Sequence, residues 1–285
     1  MTDFGRTFTA VLSACGLVAL LTGEAQAAGA SPWAQDSHSA FRLIAGANKA
    51  DSARLRAGVE IKLAPGGWKT YWRYPGDSGV PPRFDFSGSE NLKTATVRYP
   101  APHIFTDEAG NSLGYKDTVI FPLTVTPKDP GKPVRLRLKL DYAVCEKICI
   151  PAQGSEQLAL APGDSPQEAA LAAAQARVPK KVSADAAGLT ARRVNGGAKP
   201  GAKPLVMVDV KAPSDGPVEL IAEGPTPEWA LPIPKPAKGA PAGRRHFSFE
   251  LDGLPPGVDP TKGPFALTFT VIARDRAVEV DTRLD

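Results

Sequence analysis

Cys145 and Cys149 are the residues with the clearest chemistry in this chain. The sequence contains three cysteines, and the third, Cys15, lies in an apolar stretch near the amino terminus. If the segment between Cys145 and Cys149 were extended, their α-carbons would lie roughly 13 Å apart, beyond the limit of about 7 Å for a disulfide. A disulfide between them therefore requires the chain to turn back on itself.

This cysteine pair has two main interpretations, a structural staple and a redox dithiol. A bridge across so short a loop removes little entropy from the unfolded chain, so its stabilisation falls at the low end of about 2 to 4 kcal/mol. Dithiol exchange needs one thiolate to attack and a second sulfur to resolve the mixed disulfide. Lys147 favours the thiolate and Glu146 opposes it, with a net effect whose sign the sequence leaves open. The spacing favours exchange and leaves the staple as the alternative.

Metal binding and protease-type catalysis are weaker interpretations of the same residues. Copper binding by the thiolates is a minor alternative, since thiolates prefer soft ions, and the only histidines before residue 163 are His38 and His103. A cysteine nucleophile paired with His103 would be trapped by the second cysteine as a disulfide. We therefore expect no metal site and no cofactor.

The amino terminus predicts an exported protein. Arg6 precedes an apolar run over residues 8–21, and Ala25-Gln26-Ala27 has the form of a signal-peptidase site. We predict cleavage after Ala27, with an uncleaved anchor and a lipoprotein site at Cys15 as alternatives. Export implies an oxidising compartment, the periplasm, where disulfides persist.

The charge of the chain argues against a nucleic-acid partner. The formal net charge is +4, and removing residues 1–27 with Arg6, Asp3 and Glu24 raises it to +5. The basic residues are scattered, without the dense cluster of a nucleic-acid footprint. A solvated, mildly basic surface is the better interpretation.

The alternation of apolar and polar residues predicts an all-β protein. In residues 53–63, every second position from Leu55 to Leu63 is apolar, as in a half-buried strand. We predict an immunoglobulin-like antiparallel β-sandwich over residues 28–162, a linker with a short helix over residues 163–185 and a second, smaller β domain over residues 186–285. The other predicted strands cover residues 41–44, 68–74, 92–99, 118–126, 134–142, 204–210, 218–222, 244–251, 265–272 and 277–280.

Two further features complete the domain prediction. The linker helix should begin at Ser165 as N-cap, with Pro166 at the first helical position and Glu168 completing a capping box. In the second domain, His246 reads as a surface or edge histidine and Trp229 as a packing residue. We assign the second domain no catalytic role.

Four separated motifs resemble a known family. They are GWKTYW at 67–72, PGDSGVPP at 75–82, GYKD at 114–117 and YAVCEKICIP at 142–151. In this order they resemble the amino-terminal periplasmic domain of DsbD-type thiol:disulfide interchange proteins, and the subset with three residues between the cysteines includes ScsB-like proteins. The resemblance spans roughly residues 35–162, and residues 186–285 resemble the second β region of ScsB-like proteins only weakly.

The resemblance implies an immunoglobulin-like electron relay with protein-disulfide reductase chemistry. It would accept electrons from a membrane-embedded partner and pass them to periplasmic thioredoxin-fold proteins. Cys149 would form the mixed disulfide and Cys145 would resolve it. DsbD-type proteins continue into a membrane domain and a thioredoxin domain that this sequence lacks, so we expect the donor to be a separate polypeptide.

The family also implies a cap loop over the sulfurs. The corresponding segment is residues 103–115, and familiar members place a phenylalanine after an Asp-Glu pair where this chain has Ala109. We expect Tyr71 and Tyr142 to support the site. The predicted cap residues are Phe105, Asp107, Glu108, Leu113 and Tyr115. The competing hypothesis is a non-enzymatic periplasmic adaptor, or a copper-binding protein, with a structural disulfide.

Overall fold

A computed structural model of the chain describes residues 29–50, 52–108, 110–195, 202–211, 216–240, 242–274 and 276–285. The predicted signal peptide lies outside these ranges. Within them, no helix is long and apolar enough to cross a membrane. The described chain consists mainly of β-strands with two short helices, which confirms the all-β prediction.

The strands up to Leu160 form two antiparallel sheets. One sheet has the order β1-β2-β3-β9-β6, and the other has the order β11-β10-β4-β8-β7 with β5 paired to β10. The strands are β1 (Ala34–Gln35), β2 (Ser39–Ala45), β3 (Leu55–Leu63), β4 (Lys69–Gly76), β5 (Arg83–Asp85), β6 (Leu92–Val97), β7 (His103–Asp107), β8 (Gly110–Lys116), β9 (Thr118–Pro127), β10 (Val134–Cys145) and β11 (Cys149–Leu160).

The core of this immunoglobulin-like sandwich follows from the alternation in its strands. On β3 the five predicted apolar positions, Leu55, Ala57, Val59, Ile61 and Leu63, are at most 6% exposed. They share one hydrophobic cluster with side chains of the opposite sheet, such as those of β4, β8 and β10. Burial of these apolar faces against each other holds the two sheets together.

The strands from Lys180 onward form a second pair of sheets. Their orders are β12-β19-β18-β15 and β13-β14-β17-β16. Trp229 is 6% exposed in the core between them, in the packing role predicted for it. The strands are β12 (Lys180–Lys181), β13 (Leu189–Val194), β14 (Leu205–Lys211), β15 (Val218–Glu223), β16 (Lys235–Ala237), β17 (Arg244–Glu250), β18 (Phe265–Ala273) and β19 (Arg276–Leu284).

The structure differs from the prediction for His246. Strand β17 lies between β14 and β16, so His246 is not on an edge strand. Its Nδ1 contacts Oδ1 of Asp209, directly opposite on β14, and its side chain is only 14% exposed. The cross-strand carboxylate explains how a polar residue is accommodated at a largely covered position.

The predicted linker contains helix α1 (Glu168–Ala176) and strand β12, and helix α2 (Ala184–Ala187) begins within it and ends two residues beyond it. The N-cap of α1 is Gln167, and no side chain caps it, so the predicted capping box is wrong. Glu168 instead accepts a hydrogen bond from the amide of Ala47 and pairs with Arg56, because this carboxylate faces β3 rather than its own helix start. The predicted domain limits at residues 162 and 186 stay a prediction.

Candidate functional site

The two cysteines flank the turn of a long hairpin. Cys145 ends β10, Cys149 begins β11, and the two are direct antiparallel partners joined in a disulfide with α-carbons 4.1 Å apart. The three residues between them form a tight turn, in which the amide of Glu146 donates to the carbonyl of Ile148. The predicted reversal of the chain is therefore present.

The hairpin brings the cysteines together independently of their bond. Strands β10 and β11 pair continuously from Val134 with Leu160 to Cys145 with Cys149. Because this ladder already holds residues 145 and 149 close together, the disulfide closes a loop of only a few residues. Its expected contribution to the stability of the folded state is small for a disulfide, about 2 kcal/mol.

The two sulfur-bearing residues differ in their access to solvent. Cys145 is only 2% exposed and packs against Tyr71 and Ala143, whereas Cys149 is exposed. Thiol–disulfide exchange requires an attacking thiolate to reach a sulfur from outside. A protein partner can reach Cys149 but not Cys145.

Strand β4 places two polar side chains beside the disulfide. Cys145 is the direct cross-strand partner of Lys69, and Tyr71 lies two positions further along the same face. The hydroxyl of Tyr71 lies 3.5 Å from Sγ of Cys149. Burial raises the pKa of Tyr71, with a further contribution from the charge of Asp107, so the hydroxyl keeps its proton at neutral pH.

The loop after β4 covers Tyr71. Gly79 has φ 123°, and a Cβ built on it would lie 2.2 Å from the tyrosine ring. Only glycine combines this backbone conformation with so close an approach. Gly79 therefore packs directly on the ring of Tyr71, while the next residue, Val80, is 54% exposed.

Strands β7 and β8 supply a carboxylate and an aromatic ring to the same face. Nζ of Lys69 donates to Oδ2 of Asp107 at 2.7 Å and to Oγ of Ser112 at 2.9 Å. The same ammonium lies 5.7 Å from the ring centroid of Phe105, and the ammonium of Lys116 lies 4.9 Å from that centroid. The face thus carries, in order across the sheet, a disulfide, a buried cation and a hairpin that holds this cation.

Comparison with known proteins agrees with this arrangement. The family model described as Thiol:disulfide interchange protein DsbD, N-terminal, matches residues 35–161, the segment that folds into the first sandwich and carries the disulfide. Over residues 35–161 the chain is therefore similar to the N-terminal domain of DsbD. No curated protein matches the chain.

Two solved structures align with most of the length of the chain. The N-terminal periplasmic domain of ScsB from Proteus mirabilis has a TM-score of 0.70 at 20% identity and covers 90% of this chain and 98% of its own. This likeness extends the shared fold beyond the DsbD N-terminal domain into the second pair of sheets. A protein of unknown function from Porphyromonas gingivalis W83 has a TM-score of 0.21 at 13% identity, with 86% of this chain and 99% of its own covered.

The predicted cap is a β-hairpin in the first sandwich. Residues 103–107 and 110–116 pair as β7 and β8, and β8 pairs with β4. Phe105 and Asp107 lie on the face of Cys145, and Glu108 is exposed at the hairpin tip. Ala109 lies outside the described residues. The segment is thus ordered by ladder hydrogen bonds rather than being an irregular loop.

Three predicted site residues are corrected by the alternation of the strands. Leu113 and Tyr115 point to the opposite face of β8 and lie in the sandwich core, 0% and 3% exposed. The hydroxyl of Tyr115 donates to the carbonyl of Pro100. Tyr142 lies on the opposite face from Cys145 and shares a 2.7 Å hydrogen bond with Ser39. These side chains support the fold and do not shield the sulfurs.

The two histidines of the first sandwich have different neighbours. His38 stacks on Trp68 at 3.9 Å between ring centroids, and His103 lies beside the guanidinium of Arg177. Across the part of the chain that the structure describes, no group of three or more His, Cys, Asp or Glu side chains is arranged to hold a metal ion.

Sequence reasoning missed Lys69 and Gly79 as parts of the site. Both lie inside the motifs that carry the resemblance, and period-2 counting places Lys69 on the face of Tyr71. The sequence does not show that Lys69 pairs with Cys145, because that contact joins strands 76 residues apart in the chain.

Proposed function

We propose that this chain is a periplasmic thiol:disulfide interchange protein that relays electrons through Cys145 and Cys149. The observation that carries the proposal is the asymmetry of the bridge, with one accessible and one buried sulfur in a domain similar to the N-terminal domain of DsbD. The donor would be a membrane-embedded protein, and the acceptors would be oxidised thioredoxin-fold proteins.

The proposed reaction is two successive exchanges at Cys149. A donor thiolate attacks Sγ of Cys149, the disulfide breaks, and Cys145 leaves as a thiolate. The second donor thiol then displaces Cys149 by forming the donor's own disulfide. In the second half, the Cys149 thiolate attacks an acceptor disulfide, and Cys145 resolves the mixed disulfide, so that two electrons and the accompanying protons pass to the acceptor.

Apolar side chains at the rim support a protein partner. Ile148, next to Cys149, is 69% exposed, and Val80 follows the glycine that packs on Tyr71. Exposed apolar residues beside a reactive group are typical of a protein-binding surface. A partner that covers this surface would bring its own sulfurs to Cys149 and exclude water from the exchange.

Trapping of the mixed disulfide tests the proposal directly. In a Cys145→Ser variant, the remaining thiol is exposed and has no resolving partner, so Cys149 should form a stable mixed disulfide with an oxidised thioredoxin-fold protein. The matched control is Cys149→Ser, whose remaining thiol is buried and should trap little. Both adducts are measured by non-reducing electrophoresis and mass spectrometry.

A reduction potential separates the relay from a structural staple. The relay predicts a potential above about −300 mV, because structural disulfides of exported proteins lie below that value. Absence of any adduct together with a potential below about −300 mV would make the bridge a staple.

A further inference from the structure

Exchange at Cys149 must place a negative charge on a buried sulfur. When a thiolate attacks Cys149, the electron pair of the broken bond stays on Sγ of Cys145, which is 2% exposed. Burial disfavours a thiolate and raises the pKa of a thiol, and a thiol of high pKa is a poor leaving group. The site therefore needs a positive charge near Cys145.

Lys69 is placed to supply that charge. It is 7% exposed and lies directly across the sheet from Cys145 on the same face. Side chains in such a pair have Cβ atoms about 5 Å apart, so a lysine stem can bring its ammonium to the neighbouring sulfur. In the oxidised protein this ammonium is held instead by Asp107 and Ser112.

We propose that Lys69 stabilises the Cys145 thiolate and that Asp107 holds the ammonium away while the disulfide is intact. The inference rests on the proposed function and adds a positioning residue and a switch to it. On attack at Cys149, the disulfide bond breaks, Cys145 gains the negative charge, and the ammonium of Lys69 moves from the carboxylate to the thiolate. The side-chain contact between Lys69 and Asp107 near the tip of the hairpin formed by β7 and β8 is thereby lost in the reduced protein, whereas the backbone pairing of β8 with β4 remains.

Other charged and titratable groups also lie near Lys69 and Cys145. Lys116 lies beside Lys69 on β8, and the hydroxyl of Tyr71 approaches Cys149. Glu146 and Lys147 are exposed in the turn and are bonded to each other, the carboxylate of Glu146 accepting from the amide of Lys147. Lys69 is the cation that is both buried and in register with Cys145.

The test is a thiol titration in the full chain with Cys15→Ala and Cys149→Ala, which leave Cys145 as the single thiol. Lys69→Met should raise the pKa of Cys145 by about one unit or more, since a lost opposite charge shifts a pKa by about 1 to 3 units. Lys69→Arg should restore most of the shift. Asp107→Asn should lower the pKa, because it removes a negative charge that competes for the ammonium. Ultraviolet absorbance of the thiolate measures all four proteins.

The opposite signs separate an electrostatic role from a structural one. If Lys69 only ties the hairpin down, Lys69→Met and Asp107→Asn loosen the same contact and shift the pKa in the same direction, which would overturn the proposal. An unchanged pKa in folded Lys69→Met would do the same. Should Lys69→Met fail to fold, Asp107→Asn decides alone, and a raised or unchanged pKa counts against the proposal.

This titration uses no partner protein. Its outcome is therefore independent of trapping at Cys149, and either result can fail without the other. The exposed cation of Lys147 gives the control, because Lys147→Met should shift the pKa of Cys145 far less than Lys69→Met does.

Discussion

At the scale of single residues, the two cysteines have different roles because their surroundings differ. Cys145 lies under Tyr71 and beside Lys69, whereas Cys149 begins the edge strand β11 and is open to solvent. Desolvation makes a thiolate costly at the first position and hardly affects the second. Reaction with a large partner therefore starts at Cys149, and the neighbours of Cys145 set how well it leaves and resolves.

Tyr71 should stabilise the thiolate of Cys149. Its protonated hydroxyl lies 3.5 Å from that sulfur and can donate to it once the disulfide is reduced. A hydrogen bond to a charged group contributes about 1.5 kcal/mol or more, so Tyr71→Phe should raise the pKa of Cys149 by about one unit. The rate of alkylation as a function of pH in a Cys145→Ser background measures this shift.

The control for this prediction comes from the other side of the same sheet. Tyr142→Phe removes a hydroxyl that bonds Ser39 and does not face the sulfurs. It should leave the titration of Cys149 unchanged. Equal shifts in the two variants would mean that the tyrosine hydroxyl acts through general packing rather than on the sulfur.

At the scale of secondary-structure elements, the hairpin of β7 and β8 is the element that joins the core to the site. One face carries Leu113 and Tyr115 into the sandwich core, and the other presents Phe105 and Asp107 beside Lys69. Because the same strands serve both faces, deleting the segment would remove core side chains together with any cap. A test of shielding must therefore truncate single residues on the outer face.

Phe105→Ala is the substitution that tests shielding. If the ring covers the dithiol, its removal should speed the reaction of reduced Cys149 with a small disulfide reagent several-fold, while the fold remains intact. Ile104→Ala is the matched control, since Ile104 packs against the core on the opposite face. It should lower stability and leave the rate of the folded protein unchanged. A rate unaffected by Phe105→Ala would remove the ring from the list of shielding residues.

At the scale of the whole molecule, a half-buried ionic contact joins the two pairs of sheets. Arg73 on β4 bonds both carboxylate oxygens of Glu223 at 2.8 and 2.7 Å, and also bonds Glu279 at 2.5 Å. Burial alone would lower the pKa of Arg73, but the hydrogen bonds and charges of the two carboxylates outweigh it and raise the pKa. Arg73 follows Trp72, a residue of the first core, on β4. The strand that carries Lys69 and Tyr71 therefore also forms this junction.

Arg73→Ala should weaken this junction. It leaves two partly buried carboxylates without their cation, and each lost charged hydrogen bond costs about 1.5 to 3 kcal/mol. We expect the free energy of unfolding in urea to fall by about 2 kcal/mol or more. Arg83→Ala, at an exposed position on β5, serves as the control and should change it by less than about 0.5 kcal/mol. Equal losses would show that Arg73 contributes no more than a surface charge.

The sequence by itself determined the strand content and the reactive pair. Alternation of apolar and polar residues identified β3 and most other long strands because side chains of a strand alternate between faces. Strand β11 was missed, because its Pro151 and Gly154 read as breakers and its outer positions are exposed on the sheet edge. The dithiol and the motifs around it were sufficient to indicate the DsbD N-terminal family.

Only the tertiary structure decided which side chains meet at the sulfurs. Leu113 and Phe105 looked equivalent as shielding residues in the sequence, but strand pairing places one in the core and the other on the face of Cys145. The contact of Lys69 with that face depends on the register between β4 and β10, which are distant in the chain. Local patterns fix the period of each strand, whereas burial and charge at a site depend on non-local pairing. For this reason the sequence identified Cys145 and Cys149 but did not show that one is buried and the other exposed.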